Sequence, residues 1–177
     1  MSGIEFALLA FIFACALATA VLRDVLGSII AFAAYSLGIA VIWVILQAPD
    51  VGLTEAAVGA GVTTVLFLLT IAKTVRPAGE RTFEKLDLPA LGVSLALIGV
   101  LATTLGALPP VGGAETPVAT SDVTGYYLEH AYKEAGVKNA VTAVLAAYRG
   151  FDTLGEAVVV YSAGVGILVV LKKEVFA

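Results

Sequence analysis

The chain has 177 residues, 60% of them hydrophobic and 14% charged, with a net charge of -4. Soluble domains average about 25% charge and about 45–50% apolar residues, so this composition excludes an ordinary soluble fold and assigns most of the chain to a bilayer. The mild acidity argues against a nucleic-acid partner, which needs a basic face. The single cysteine, Cys15, allows no internal disulfide.

Five apolar runs set the expected architecture: an all-α integral membrane protein of about five transmembrane helices. The first covers residues 4–22. At 1.5 Å per residue it reaches about 28 Å, close to the thickness of a hydrocarbon core. No basic segment precedes it and a second run follows at once, so a retained helix is expected rather than a secretory signal. Arg23-Asp24 makes a short turn into residues 25–46, where Trp43 lies near the far end as an expected interfacial anchor. In the turn Gln47-Ala48-Pro49-Asp50, Pro49 disfavours helix at Ala48, and Asp50 is expected to cap the next helix.

That third helix, residues 51–71, carries Glu55 a little over one turn inside it. A charge is costly in hydrocarbon, so an acid there needs a reason. Gly52, Gly59 and Gly61 thin the helix and let a neighbouring backbone approach, and Thr54, Thr63 and Thr64 supply hydroxyls. Lys73 closes the span and is expected to snorkel to the headgroups. It lies about 27 Å along the helix from Glu55, too far for contact.

Residues 74–87 contain Arg76, Arg81, Lys85, Glu80 and Glu84, broken by Pro77 and Gly79. They read as a cytoplasmic linker between a three-span module, residues 1–73, and a two-span module, residues 88–177. The fourth span covers residues 88–108, with Pro89 in its first turn, where a missing N–H costs nothing. Pro109-Pro110 stops it and opens an outer-side loop, residues 109–150. Within that loop residues 122–135 form a short amphipathic helix with Tyr126, Tyr127, Glu129, His130, Tyr132, Lys133 and Glu134. Its tyrosines fit an interface or a protein contact. Residues 139–148 are apolar but too short to cross, so they lie at the surface or re-enter. The fifth span covers residues 152–171 and ends on Lys172 and Lys173.

Placing the Arg23 turn in the cytoplasm puts seven of the ten basic residues on that side: Arg23, Lys73, Arg76, Arg81, Lys85, Lys172 and Lys173. Lys133, Lys138 and Arg149 fall outside. The positive-inside rule then gives an outer N-terminus and a cytoplasmic C-terminus in the cell membrane.

Under that topology the third and fifth spans both start outside and run inward, each with two acids near its start. Asp50 and Glu55 are five apart; Asp152 and Glu156 are four apart and share a helix face. Helix N-termini favour anions by roughly 0.3–1 kcal/mol, which lowers the cost of a carboxylate without removing it. Asp50 and Asp152 fit simple interfacial caps. Glu55 and Glu156 lie about 6–8 Å deeper. Three readings stay open for these two: a side chain reaching back to water, a cation-handling group facing the bundle or a partner, or a structural ion pair with Arg149. A buried carboxylate can take a proton or hold Na+ with hydroxyl and carbonyl help. Thr54, Thr153 and carbonyls near Gly52 or Gly155 are the candidate helpers. Beyond such transient Na+ at Glu55 or Glu156, no His/Cys/Asp spacing indicates a metal. No glycine motif indicates a nucleotide. His130 reads as a solvated or interfacial side chain. No nucleophile–base set and no cofactor is expected.

The stretch Pro49-Asp50-Val51-Gly52-Leu53-Thr54-Glu55-Ala56-Ala57-Val58-Gly59-Ala60-Gly61 resembles the signature of the MbhD-like module of membrane-bound hydrogenases and of the C-terminal part of the large Mrp antiporter subunit. Residues 139–156, from Asn139 through Tyr148-Arg149-Gly150-Phe151-Asp152 to Glu156, look like the MbhE-like module that follows it there. The resemblance covers nearly the whole chain, with the join near residues 74–87. It implies a non-catalytic membrane subunit of a multisubunit Na+/H+ antiporter or related respiratory complex. Its partners would be the other membrane subunits, lipid, Na+ and H+. The three-span module is similar to the J subunit of complex I. The resemblance also implies that Glu55, Asp152 and Glu156 lie on a sodium or proton route, with Asp50 as the acid before the third span. Where the family commonly has an aspartate before the Arg-Gly pair, this chain has Tyr148, which weakens any site needing that acid. The large antiporter helices with their lysine relays are absent, so the chain alone is not expected to transport. The rival expectation is a structural scaffold; a small independent channel is a third.

Overall fold

The computed structural model describes residues 3–73, 83, 85 and 87–171. Among the described residues the regular structure is helical, apart from an isolated antiparallel bridge between Leu22 and Phe83. Five helices among the described residues are long and apolar enough to cross a membrane: Gly3–Val21, Val25–Ile45, Pro49–Ala72, Leu88–Ala107 and Gly150–Val169. Most of the expected linker, residues 74–87, lies outside the described residues, as do Lys172 and Lys173. The chain divides into two compact units, Met1–Leu108 and Pro109–Ala177.

In the first unit, α1 (Gly3–Val21) and α2 (Val25–Ile45) are joined by Leu22 and the turn expected at Arg23-Asp24. Asp24 takes the N-cap position, its carboxylate accepting the Gly27 N–H at 2.9 Å. The turn after α2 needs a left-handed residue, and Gln47 supplies it at φ 63°. The third helix, α3, spans Pro49–Ala72 and is not uniform. An α-helical turn, Pro49–Thr54, passes into a nine-residue π-helical stretch, Glu55–Thr63, and back into α-helix at Thr64–Ala72. The sequence predicts a continuous α-helix here, and this interruption corrects it. Wide i→i+5 turns carry no compositional mark that separates them from α-helical turns, so the sequence does not announce them. The Asp50 cap is corrected too. Pro49 has no N–H to lose and itself takes the first turn, so Ala48 becomes the N-cap and Asp50 sits inside the helix.

α2 is the central element of this bundle, packed against α1 on one side and along all three parts of α3 on the other. Its buried positions are Ile29, Ser36, Gly38 and Ala40. Gly52 of α3 is buried because the backbones meet there: a Cβ on Gly52 would stand 2.8 Å from the Ala40 carbonyl oxygen and 2.9 Å from Val44 Cγ2. Farther along, Phe32 and Phe67 meet edge to face at 6.2 Å. The helix α4 (Leu88–Thr104), with a tighter last turn at Leu105–Ala107, is capped by Asp87, which accepts the Ala90 N–H at 3.3 Å. Every residue of it is exposed.

The second unit begins with the Gly- and Pro-rich loop, followed by α5 (Asp122–Ala135) with the bounds its sequence pattern predicts. Ser121 caps its start, accepting the Val123 N–H at 3.3 Å, and Gly136 ends it at φ 69°. Next, α6 (Ala140–Ala143) opens on an Asn139 cap and runs into a second π-helical stretch, Val144–Tyr148. Residues 139–148 are thus a short helix, well below crossing length. The last helix, α7, spans Gly150–Leu171.

Candidate functional site

Glu55 is the first residue of the π-helical stretch in α3 and is half-buried. Its side chain lies beside Gly59, four residues on. Every Cα–Cβ bond in a helix tilts toward the N-terminus, so a Cβ on Gly59 would project back into this space, 2.5 Å from Glu55 Oε1. The same point lies 2.7 Å from Ser36 Oγ, on α2. Only a glycine leaves room for a carboxylate and a hydroxyl to converge from two helices. Among the described residues of the unit, Ser36, 1% exposed, is the most enclosed polar side chain, and Glu55 has neither a hydrogen bond nor a cation partner. The Thr64 hydroxyl donates to the Gly59 carbonyl at 3.4 Å, a five-residue reach that follows the wide turn.

The neighbouring expected helpers are engaged differently. The Thr54 hydroxyl donates back to the Val51 carbonyl at 2.9 Å and approaches that of Asp50 at 3.2 Å. Asp50 is half-buried in the first turn. Lys73 is exposed at the far end of α3, as its spacing from Glu55 requires.

The acids of α7 have another setting. Asp152 and Glu156 are both exposed within the chain. Asp152 Oδ2 accepts from Arg149 Nε at 2.6 Å, in a pair whose side chains are 66% (Arg149) and 55% (Asp152) exposed. The Thr153 hydroxyl donates to the Leu145 carbonyl at 2.9 Å, tying the start of α7 to the π-helical stretch before it. Of the two deeper acids, Glu55 is half-buried, whereas Glu156 has no covering element among the described residues of its own unit. The expected ion pair with Arg149 forms, but with Asp152, three residues along, rather than with Glu156.

A third cluster is not evident from the sequence. Glu134 on α5 accepts the Tyr126 hydroxyl at 2.8 Å and the Tyr148 hydroxyl at 2.6 Å. Tyr126 stacks on His130 at 4.3 Å, and Tyr127 meets Tyr148 at 4.9 Å. Two phenol donors, Tyr148 first, hold the Glu134 carboxyl below its usual range. The same carboxylate pushes the Tyr148 phenol up to about 12 and raises that of Tyr126. One signal of the cluster does stand in the sequence: Tyr126, His130 and Glu134 recur every four residues, which stacks them on one helix face. The other partner, Tyr148, arrives from beyond the Gly136 turn. No group of three or more His, Cys, Asp or Glu could hold a metal among the described residues.

Comparison with known proteins agrees with this architecture. Residues 10–76 match the family model of MbhD, the D subunit of MBH, and residues 114–175 match that of MbhE, the E subunit of MBH. The chain is 31% identical over 163 residues to the A subunit of the Na(+)/H(+) antiporter of Bacillus subtilis (strain 168), covering 89% of this chain and 19% of that protein. It is 28% identical over 168 residues to the putative antiporter subunit mnhA2 of Staphylococcus saprophyticus, covering 95% of this chain and 20% of that protein. The solved Mrp complex from Dietzia sp. DQ12-45-1b contains a chain that matches 97% of this one with a TM-score of 0.74 and 26% identity, over 18% of that chain's length. The chain thus spans about a fifth of the length of these relatives. With two consecutive subunit families matched in one polypeptide, the chain is a fused MbhD/MbhE-like membrane subunit, related to the Mrp-type Na+/H+ antiporter and membrane-bound hydrogenase family.

Proposed function

We propose that this chain is a non-catalytic membrane subunit of an Mrp-type Na+/H+ antiporter or a related energy-coupling complex, and that Glu55 lies on its ion route. The observation that carries the second claim is the setting of Glu55: an unpaired, half-buried carboxylate inside an apolar helix, where the helix widens into a π-helical stretch. π-Helical turns are frequent at functional sites because they loosen the backbone hydrogen-bond register. An acid retained in a span without a partner fits proton or cation exchange. Asp50, Asp152 and Glu156 are the accessory acids of this reading, with Thr54, Thr153, Lys73 and Arg149 near them. Asp152 and Glu156 would face another subunit, since their own unit leaves them exposed. The distribution of basic residues supports an outer N-terminus and a cytoplasmic C-terminus. Driving energy would come from the membrane potential, about 2.3 kcal/mol per charge per 100 mV.

Glu55→Gln tests this. In membrane vesicles carrying the assembled complex, cation-driven proton movement should fall to background while the subunits still co-purify. Full coupling with the variant would remove Glu55 from the route. A scaffold role is the second reading, favoured by the exposure of every residue of α4, which leaves that helix open to other chains. Intact coupling in Glu55→Gln, with loss of assembly on bulky α4 substitutions, would select it.

A further inference from the structure

We propose that the Ser36 hydroxyl is a second oxygen ligand of the Glu55 site, so that a partly dehydrated monovalent cation is held between α2 and α3 over Gly59. The inference rests on the ion-route reading of Glu55 and deepens it by naming the cargo and a further ligand. Three observations carry it. Ser36 Oγ and Glu55 Oε1 converge on one point, 2.7 Å and 2.5 Å from where a Gly59 Cβ would stand. Ser36 is 1% exposed, so its hydroxyl is enclosed in the seam between α2 and α3. Gly59 is the residue that leaves the space between them open. Hard cations select oxygen ligands, and a carboxylate with a neutral hydroxyl offers one negative charge to one positive charge. Such a pair favours a monovalent ion over a divalent one, which would remain under-neutralised.

α2 carries one titratable side chain, Tyr35, whose ring stacks on Phe32 at 6.3 Å. On α3 the remaining charged residue is Asp50, in the first turn, and Lys73 follows its far end as the C-cap.

The test uses the assembled complex in membrane vesicles, with Na+ and then Li+ as the driving cation. Ser36→Ala and Ser36→Cys are compared with the parent and with Glu55→Gln. Cysteine keeps the side-chain volume but replaces a hard oxygen with a soft sulfur. Both Ser36 variants should raise the apparent KM for Na+ about tenfold, the loss of one contact to a charged group, while leaving the maximum rate within about twofold. Gly59→Ala should raise KM as well, because its Cβ displaces both oxygens. If Ser36→Cys matches the parent while Ser36→Ala does not, packing is at work and the ligand role is overturned. If both Ser36 variants keep the parent KM while Glu55→Gln is inactive, the inference fails and the ion-route reading stands. If Glu55→Gln is itself fully coupled, that reading fails first.

Discussion

The starts of α3 and α7 present the same sequence pattern, two acids within five residues of each other at the mouth of an apolar helix, yet their surroundings differ. Glu55 is half-buried against a neighbouring helix, faces an enclosed hydroxyl, and has no cation beside it among the described residues. Asp152 is exposed and ion-paired with Arg149, and Glu156 is exposed without a covering helix. An acid without a partner keeps its charge available to a mobile ion. An acid with an arginine three residues away has its charge already answered. Spacing along a helix sets the depth of a carboxylate; the adjoining element decides what that carboxylate can do.

The strongest way to break the Glu55 setting is to force α2 and α3 apart. Gly52→Leu should do so, because a side chain there meets the Ala40 backbone, which cannot rotate away. Overpacking of this kind costs about 1–3 kcal/mol or more. The expected result is lower thermal stability of the purified complex together with loss of coupling; unchanged stability would show that the two helices do not pack this closely.

Asp152→Asn sharpens the comparison at the other helix. An exposed ion pair contributes at most about 1 kcal/mol, so assembly should be unaffected. Coupling should fall by much less than with Glu55→Gln, and increasingly little as salt is raised and screening grows. Equal loss in the two variants would erase the distinction drawn between them.

The smallest effect concerns the Glu134 cluster, a tie that the Glu55 region lacks. Its sign follows from linkage. The Glu134 carboxyl is lowered, so its contribution is present above the ordinary 4.5 and is lost as pH falls through the lowered value. The Tyr148 phenol is raised from 10.0 to about 12, so its contribution is present below 10 and is lost as pH rises through about 12. Tyrosine absorbance during an alkaline titration should show a late component that disappears in Tyr148→Phe and moves back toward 10 in Glu134→Gln. A parent chain whose tyrosines all ionise together near 10 would contradict the hydrogen bonds.

Much of the fold is readable from hydropathy alone, because five apolar runs in hydrocarbon leave helices as the available structure. The α5 bounds are legible as well, since Ser121 and Gly136 are unambiguous cap residues. The site is legible only in part. Glu55 stands out because a charge in an apolar run is conspicuous. Ser36 does not, because a serine in an apolar helix that also carries Ser28 is ordinary until its neighbour across the seam is known. The π-helical stretches are invisible for a different reason: they are a property of backbone register, which packing selects among nearly equal local choices. The Asp152–Arg149 pair is within reach of spacing rules, but the Glu134–Tyr148 bond joins residues on either side of a turn whose direction no local pattern encodes.

The wide turns of α3 also bear on how the protein fits its lipid. This helix has 24 residues, where the other candidate spans have 19 to 21. At uniform α-helical rise it would be about 36 Å long, several ångströms more than a typical bilayer interior of about 30 Å. Winding Glu55–Thr63 with more residues per turn shortens the axis without removing any residue. That shortening brings the length of the helix closer to the thickness of the surrounding hydrocarbon and so reduces hydrophobic mismatch.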